Sequence, residues 1–199
     1  MNDPRHRKVY IGIAAVLVAI LVTVVILLHI KRNAEEDARR TADRQALGAP
    51  VVGASERITL TVAADGKPGF RQQEVTVALP PEPGLRAREV LRALLNEYLK
   101  SGSPHPLARG SEVKNVYLVS DGTAVLDLTS QLVDGHPSGV LVEQLTIASM
   151  IETVSANVSG IHQVKILVDG KERDTLAGHA DLTALIDVAD VHKFVQEMQ

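Results

Sequence analysis

The run Val9 to Ile30 constrains this chain more than any other stretch: 22 residues without a formal charge, fifteen of them Val, Ile or Leu. As a helix rising about 1.5 Å per residue it reaches about 33 Å, enough to cross a hydrocarbon core of about 30 Å. Each aliphatic residue favours insertion by about 0.3–0.6 kcal/mol, so His29 near one end does not reverse the balance. The apolar character runs all round, whereas a helix packed on a soluble core shows a polar stripe. The run therefore predicts one transmembrane helix over residues 9–30. A cleaved signal peptide is the rival reading. Its apolar region spans about 7–15 residues and ends in a small-x-small site. His29-Ile-Lys-Arg-Asn33 offers no such site, so an uncleaved signal anchor is expected, with residues 1–8 as an N-terminal cytoplasmic tail.

Direction does not follow from charge. Arg5, Arg7 and Lys8 precede the helix, and Lys31, Arg32, Arg39, Arg40 and Arg44 follow it. Taken literally, the excess of Lys and Arg after the span favours a cytoplasmic C-terminal domain, and the acidic Glu35-Glu36-Asp37 hardly counts in that rule. Residue counting leaves the orientation open.

Residues 31–55 read as a charged stalk or linker. Glu35 with Arg39 and Glu36 with Arg40 stand at helical spacing and support a helical extension by a few tenths of a kcal/mol per pair, about 0.2–0.5. Gly48-Ala-Pro-Val-Val-Gly-Ala54 ends any such helix. The remainder, residues 56–190, has the size of one ordinary domain, and residues 191–199 read as a tail. Within it, Arg57–Ala63 and Gln73–Leu79 alternate polar and apolar residues around the turn Asp65-Gly-Lys-Pro-Gly69, the pattern of half-buried strands. Arg86–Lys100 sets Val90, Leu91, Leu94, Leu95, Tyr98 and Leu99 at helical spacing. Val113–Val119 and Thr123–Leu128 flank Asp121-Gly122, a strong hairpin signal. A second helix is expected from about Ser138 to Ala156, and Val164–Val168 is the last clear strand. The order β-β-α-β-β-α-β predicts an α+β fold, a two-layer α/β sandwich with both helices on one face of a mixed sheet.

These elements resemble the GerMN domain, the sporulation and spore-germination domain. The likeness lies in Leu94-Leu-Asn-Glu-Tyr-Leu99, Val116-Tyr-Leu-Val-Ser-Asp-Gly-Thr-Ala-Val-Leu-Asp-Leu128, Glu143-Gln-Leu-Thr-Ile-Ala-Ser149 and Val164-Lys-Ile-Leu-Val-Asp-Gly170. Thr175-Leu-Ala-Gly-His-Ala-Asp-Leu182 is similar to the segment that closes such domains. The resemblance covers about residues 57–187 and departs at Leu107-Ala-Arg-Gly-Ser-Glu112, where the family often has Ile-Pro. It implies a domain outside the cytoplasmic membrane, held by a lipid or a signal anchor, and non-enzymatic. It also implies a helix-hairpin-helix-strand core, fitted by residues 86–168, like that of ring-building motifs. The resemblance, rather than the charge count, sets the expected orientation: a single-pass protein of the bacterial inner membrane with its C-terminal domain extracytoplasmic.

Five histidines are candidates for chemistry. His105 lies between prolines and His136 in Asp134-Gly-His-Pro137, and both read as turn residues; neither these nor His162, His179 and His192 show a metal-ligand spacing. His179 with Asp181 is the most tempting pair, and anchoring of the loop by one of them is the expected role. Asp127, between Leu126 and Leu128, is expected at the surface. Glu143 and Glu152 project differently from one helix and do not form an acid–base pair. Absence of Cys excludes disulfides, thiolate metal sites and Cys nucleophiles. No Gly-x-Ser-x-Gly, phosphate loop or dinucleotide fingerprint occurs. With no Trp, two Phe and a net charge of −3, neither a nucleic-acid surface nor an aromatic sugar platform is expected. Catalytic, cofactor-binding and metal-binding residues are all expected to be none. The leading expectation is an envelope scaffold or assembly module that meets a protein partner or itself, and a module binding cell-wall glycan or a small ligand is the alternative.

Overall fold

The computed structural model describes residues 53–119 and 121–199. The expected tail 1–8, span 9–30 and stalk up to residue 52 lie outside the described residues. Among the described residues no helix is long and apolar enough to cross a membrane.

Strands β1 (Ser55–Ala64) and β2 (Gly69–Ala78) form an antiparallel hairpin in which Ser55 faces Ala78 and Ala64 faces Gly69. Helix α1 (Pro83–Tyr98) follows. It starts three residues before Arg86 because Pro83 suits the first helical position and the Glu82 carboxylate accepts the free N–H groups of Gly84 and Leu85. Strands β3 (Val113–Leu118) and β4 (Thr123–Leu128) form the second hairpin. Gly122 takes a positive φ of 86° in its turn, a conformation glycine adopts without cost. Then come the short α2 (Ser130–Asp134), the long α3 (Val140–Asn157), β5 (Gln163–Val168), the two-residue β6 (Ile186–Asp187) and α4 (Val188–Glu197).

The fold is α+β as expected, with one correction. The five expected strands do not form a single mixed sheet. The β1–β2 hairpin stands as its own two-stranded sheet, and a separate four-stranded sheet has the order β3-β4-β5-β6. That second sheet is mixed: β4 runs antiparallel to β3 and parallel to β5, and β5 is antiparallel to β6. The physical reason for the split lies on the outer edge of β1. Its N–H groups that point away from β2 are met by helix side chains instead of a third strand. Thr59 N–H donates to Asn157 Oδ1 at 3.2 Å, Thr61 N–H to Thr153 Oγ1 at 2.9 Å, and Ala63 N–H to the Tyr98 hydroxyl at 2.9 Å. Asn157 returns a bond from Nδ2 to Thr59 O at 2.8 Å. A strand edge whose donors are taken in this way has few left to offer a further strand.

One core joins both sheets to the helices. Leu60 and Val62 of β1, Leu91 and Leu94 of α1, Leu126 of β4, Ile151 and Val154 of α3 and Val164 of β5 are all fully buried. α1 approaches β3 closely, since a Cβ on Gly84 would stand 2.8 Å from Val116 O. Residues 191–199, set apart as a tail by sequence, belong instead to α4, which buries Val191 and Val195 and packs Phe194 edge-on against Phe70 at 5.9 Å. Val188, Val191, Phe194, Val195 and Met198 recur at helical spacing and pack against the core, which is the signal for this helix.

Candidate functional site

Helix α3 is the hub from which each polar cluster of the domain is held. Most of its residues from Glu143 to Val154 are buried, polar ones included. At about 100° per residue, Thr146, Ser149, Thr153 and Asn157 fall within about 80° of one another. That makes a polar stripe, and it faces inward: Thr146, Ser149 and Thr153 have no exposed surface. Reading the apolar positions alone sends such a stripe to solvent. The interior arrangement is stable because its members are hydrogen-bonded: Thr146 to two loops, Ser149 to Thr146 O, and Thr153 and Asn157 to β1.

At its N-terminal end Glu143, fully buried, closes the loop 175–182. Its Oε2 accepts N–H bonds from Ala177 at 3.0 Å, His179 at 3.0 Å and Ala180 at 2.9 Å. Its Oε1 accepts from Gly139 N–H at 3.0 Å and meets His179 Nδ1 at 2.9 Å. Burial alone would disfavour the charge, and it is the largest single influence. The N–H groups of Ala180, Gly139 and Ala177 and the His179 ring together outweigh it and hold the carboxyl well below the usual range. A carboxylate in the first turn of a helix also faces the positive end of the helix dipole. His179 thus bonds to Glu143 and not to Asp181, the partner that sequence suggested. Asp181 Oδ1 instead accepts from Thr183 N–H at 2.7 Å and from its hydroxyl at 2.6 Å.

One turn on, Thr146 ties two loops together. Its Oγ1 lies 2.6 Å from His105 Nε2 and 2.6 Å from His136 Nε2, while His105 Nδ1 lies 2.6 Å from Asp65 Oδ1 in the β1–β2 turn. His136 Nδ1 donates to Pro137 O at 2.7 Å. His105 packs edge-on against Tyr98, with ring centroids 4.8 Å apart. The reading of His105 and His136 as plain turn residues needs correction: they sit in loops, but at 1% and 7% exposure they are core groups. Spacing in sequence could not reveal this, because Asp65, His105, His136 and Thr146 come from four separate segments. Proline on both sides of His105 was the available signal, since it fixes the backbone that aims the ring inward.

Asp65, His105 and Thr146 stand in the order of an acid, a base and a hydroxyl, the arrangement that activates nucleophiles. Access decides against that use. Thr146 has no exposed surface, and its hydroxyl also lies within hydrogen-bond reach of Val142 O, at 3.1 Å within its own helix. Two open cavities flank α3 elsewhere. One, of about 310 Å³, is lined by Ile147, Ala148, Val191 and Phe194; the other, of about 570 Å³, by Glu152, His162, Asp187 and His192. Neither is lined by Thr146, His105 or His136.

The remaining candidates are held one by one. Glu152 Oε1 meets His192 Nδ1 of α4 at 2.9 Å, and its Oε2 has no partner among the described residues. Glu143 and Glu152 therefore engage different histidines. Asp127, expected at the surface, is 5% exposed and accepts the Gly170 N–H at 2.7 Å, because the turn after β5 folds over it. Among the described residues no group of three or more His, Cys, Asp or Glu stands in an arrangement able to hold a metal ion.

Comparison with known proteins gives this geometry a family. Solved structures of GerMN domains are among those similar to the chain. The tandem GerMN domains of the sporulation protein GerM from Bacillus subtilis are 23% identical with a TM-score of 0.49, over 65% of this chain and 44% of that one. The first GerMN domain of the same protein is 17% identical with a TM-score of 0.46, over 65% of this chain and 94% of that one. No curated protein matches. The sequence profile described as "Germane: Sporulation and spore germination" matches residues 60–174, more than half of the chain, from β1 through the turn after β5. The chain belongs to the Germane family of sporulation and spore germination domains.

Proposed function

We propose that the protein is a non-enzymatic module of the bacterial cell envelope, anchored in the inner membrane by residues 9–30, which acts as a scaffold or assembly element through protein–protein contacts. The observation that carries this reading is the closure of the polar clusters. The groups that catalysis would use (His105, His136, Thr146 and Glu143) are buried and bonded to structural partners. What the domain offers outward is surface. Tyr117 and Val119 at the β3 edge of the mixed sheet are 54% and 47% exposed, and exposed apolar side chains close together are a common mark of protein contacts. Family membership agrees with an exported domain.

A photo-crosslinking amino acid at position 117 of the full chain, in living cells, tests this. The expected result is a discrete adduct, with an envelope protein or with a second copy, that is lost when the label is moved to the buried position 126. A label at 117 that captures nothing while the protein is abundant in the membrane contradicts the scaffold reading. Retention of the purified protein on peptidoglycan would favour the glycan-binding alternative instead.

A further inference from the structure

The buried chain Asp65–His105–Thr146–His136 has a proton count that its geometry dictates. Pro137 O can only accept, so His136 Nδ1 carries a proton toward it. The Asp65 carboxylate can only accept, so His105 Nδ1 carries one as well. Two neutral rings would then turn two bare Nε2 atoms toward the one Thr146 hydroxyl, 2.6 Å from each. That hydroxyl has a single proton and serves only one of them. One additional proton satisfies both rings and Asp65, and draws the Thr146 proton from Val142 O, 3.1 Å away, to His136. His105 then donates from Nδ1 to Asp65 and from Nε2 to Thr146, Thr146 donates to His136 Nε2, and His136 donates to Pro137 O. A second additional proton makes both rings donors to Thr146, whose own proton turns to Val142 O. That state places two cations with ring centroids 6.2 Å apart in the core, with one carboxylate in contact.

We propose that these four side chains hold one shared proton and form a latch: a second proton releases the β1–β2 turn, residues 99–112 and residues 135–139 from α3 together, while the rest of the fold stays closed.

The charged neighbours leave the second proton without a counterion. From the β1–β2 turn comes Asp65, already bonded to His105. From α1 comes the Tyr98 phenol, which burial keeps neutral, and from β2 the Arg71 charge reaches that phenol. From α3 comes Glu143, bonded to four N–H groups and to His179. From the end of α2, Asp134 pairs with Arg173 at 2.8 Å. Burial of the His136 ring disfavours its charged form and the nearby His105 adds to this, and the Pro137 bond with the more distant charges of Glu143 and Asp65 only partly opposes it. The shared proton accordingly belongs on the Asp65 side. The second must enter at His136, so the latch is lost as pH falls below the ordinary histidine range.

The test uses the full chain in detergent micelles with isotope-labelled histidine, followed by side-chain nitrogen spectra and amide hydrogen exchange from about pH 4 to 9. Near neutral pH, one imidazole with both nitrogens protonated and one neutral ring protonated at Nδ1 are expected. Asp65→Asn should abolish the first signal and change the second, and Thr146→Ser, which keeps the hydroxyl, should preserve both. On acidification the N–H groups of Asp65, Leu107 and His136, bonded to Pro104, Tyr98 and Val133, should lose protection at one midpoint, by about tenfold per pH unit beyond intrinsic exchange. The β4–β5 ladder should stay protected. The proposal is overturned by two neutral rings near neutral pH, by three separate midpoints, or by opening only together with that ladder.

Discussion

Replacing Glu143 by Ala should cost the domain about 3–5 kcal/mol, the loss typical of removing one member of a buried charged cluster. The side chain has no exposed surface, and four N–H groups and one imidazole converge on it. Once it is gone, the N–H groups of Ala177, His179 and Ala180 are left without an acceptor, at about 1–3 kcal/mol for each that stays buried. The loop 175–182 should therefore open before the sheet does. Denaturant unfolding of the full chain measures the total, and protease cleavage within 175–182 reports the local opening. Glu143→Gln keeps one acceptor oxygen and should fall between Ala and wild type. The same contacts set an acid limit. The folded carboxyl is held below its ordinary value of 4.5, so the unfolded chain binds this proton more readily. Its contribution is complete above that value and is lost as pH falls further. Glu143→Gln should flatten stability against pH in that acid range.

Tyr98→Ala should be comparably severe, about 3–5 kcal/mol from the cavity alone. The ring is fully buried at the end of α1, stacks edge-on with His105, and its hydroxyl accepts the Ala63 N–H. Tyr98→Phe isolates the hydroxyl. It leaves volume almost unchanged and orphans one buried N–H, for about 1–3 kcal/mol. Burial is the main cause that pushes the phenol up to about 12, against the bonds from Ala63 and Ser149. With the folded value above the unfolded 10.0, this contribution is intact below 10 and declines as pH rises toward 12, and Tyr98→Phe should lack that alkaline decline. Thermal unfolding of the pair of variants across pH separates packing from hydrogen bonding.

Much of the fold was legible because its elements are locally consistent. Asp121-Gly122 between two aliphatic runs placed β3 and β4, and β4 has the bounds the sequence suggested. The stripe of Val90, Leu91, Leu94 and Leu95 places α1, and its start lies earlier than the stripe because Glu82 and Pro83 cap it. The sheet architecture was less legible. Alternation in Arg57–Ala63 shows that one face is buried, but pairing on the other edge depends on Thr153 and Asn157, almost a hundred residues away. The polar core was hidden for the same reason. Thr146, Ser149 and Thr153 look like a solvent face when only apolar residues are counted, and histidines beside proline and glycine look like turn residues. Glu143 and His179 were both picked out, yet their meeting spans 36 positions and is a property of the fold.

Under the proposed reading, the protein's work lies in where it is held and what it touches. Anchoring by residues 9–30 and export of the domain are the foundation of that account, and the Lys and Arg residues after the span lean the other way. Alkaline phosphatase, which is active only outside the cytoplasm, fused after Gln199 of the full chain and expressed in a bacterium, tests it most directly. The account predicts strong phosphatase activity in the membrane fraction and none from the matching cytoplasm-dependent reporter. Reporter activity confined to the cytoplasm would contradict the orientation and, with it, the envelope role.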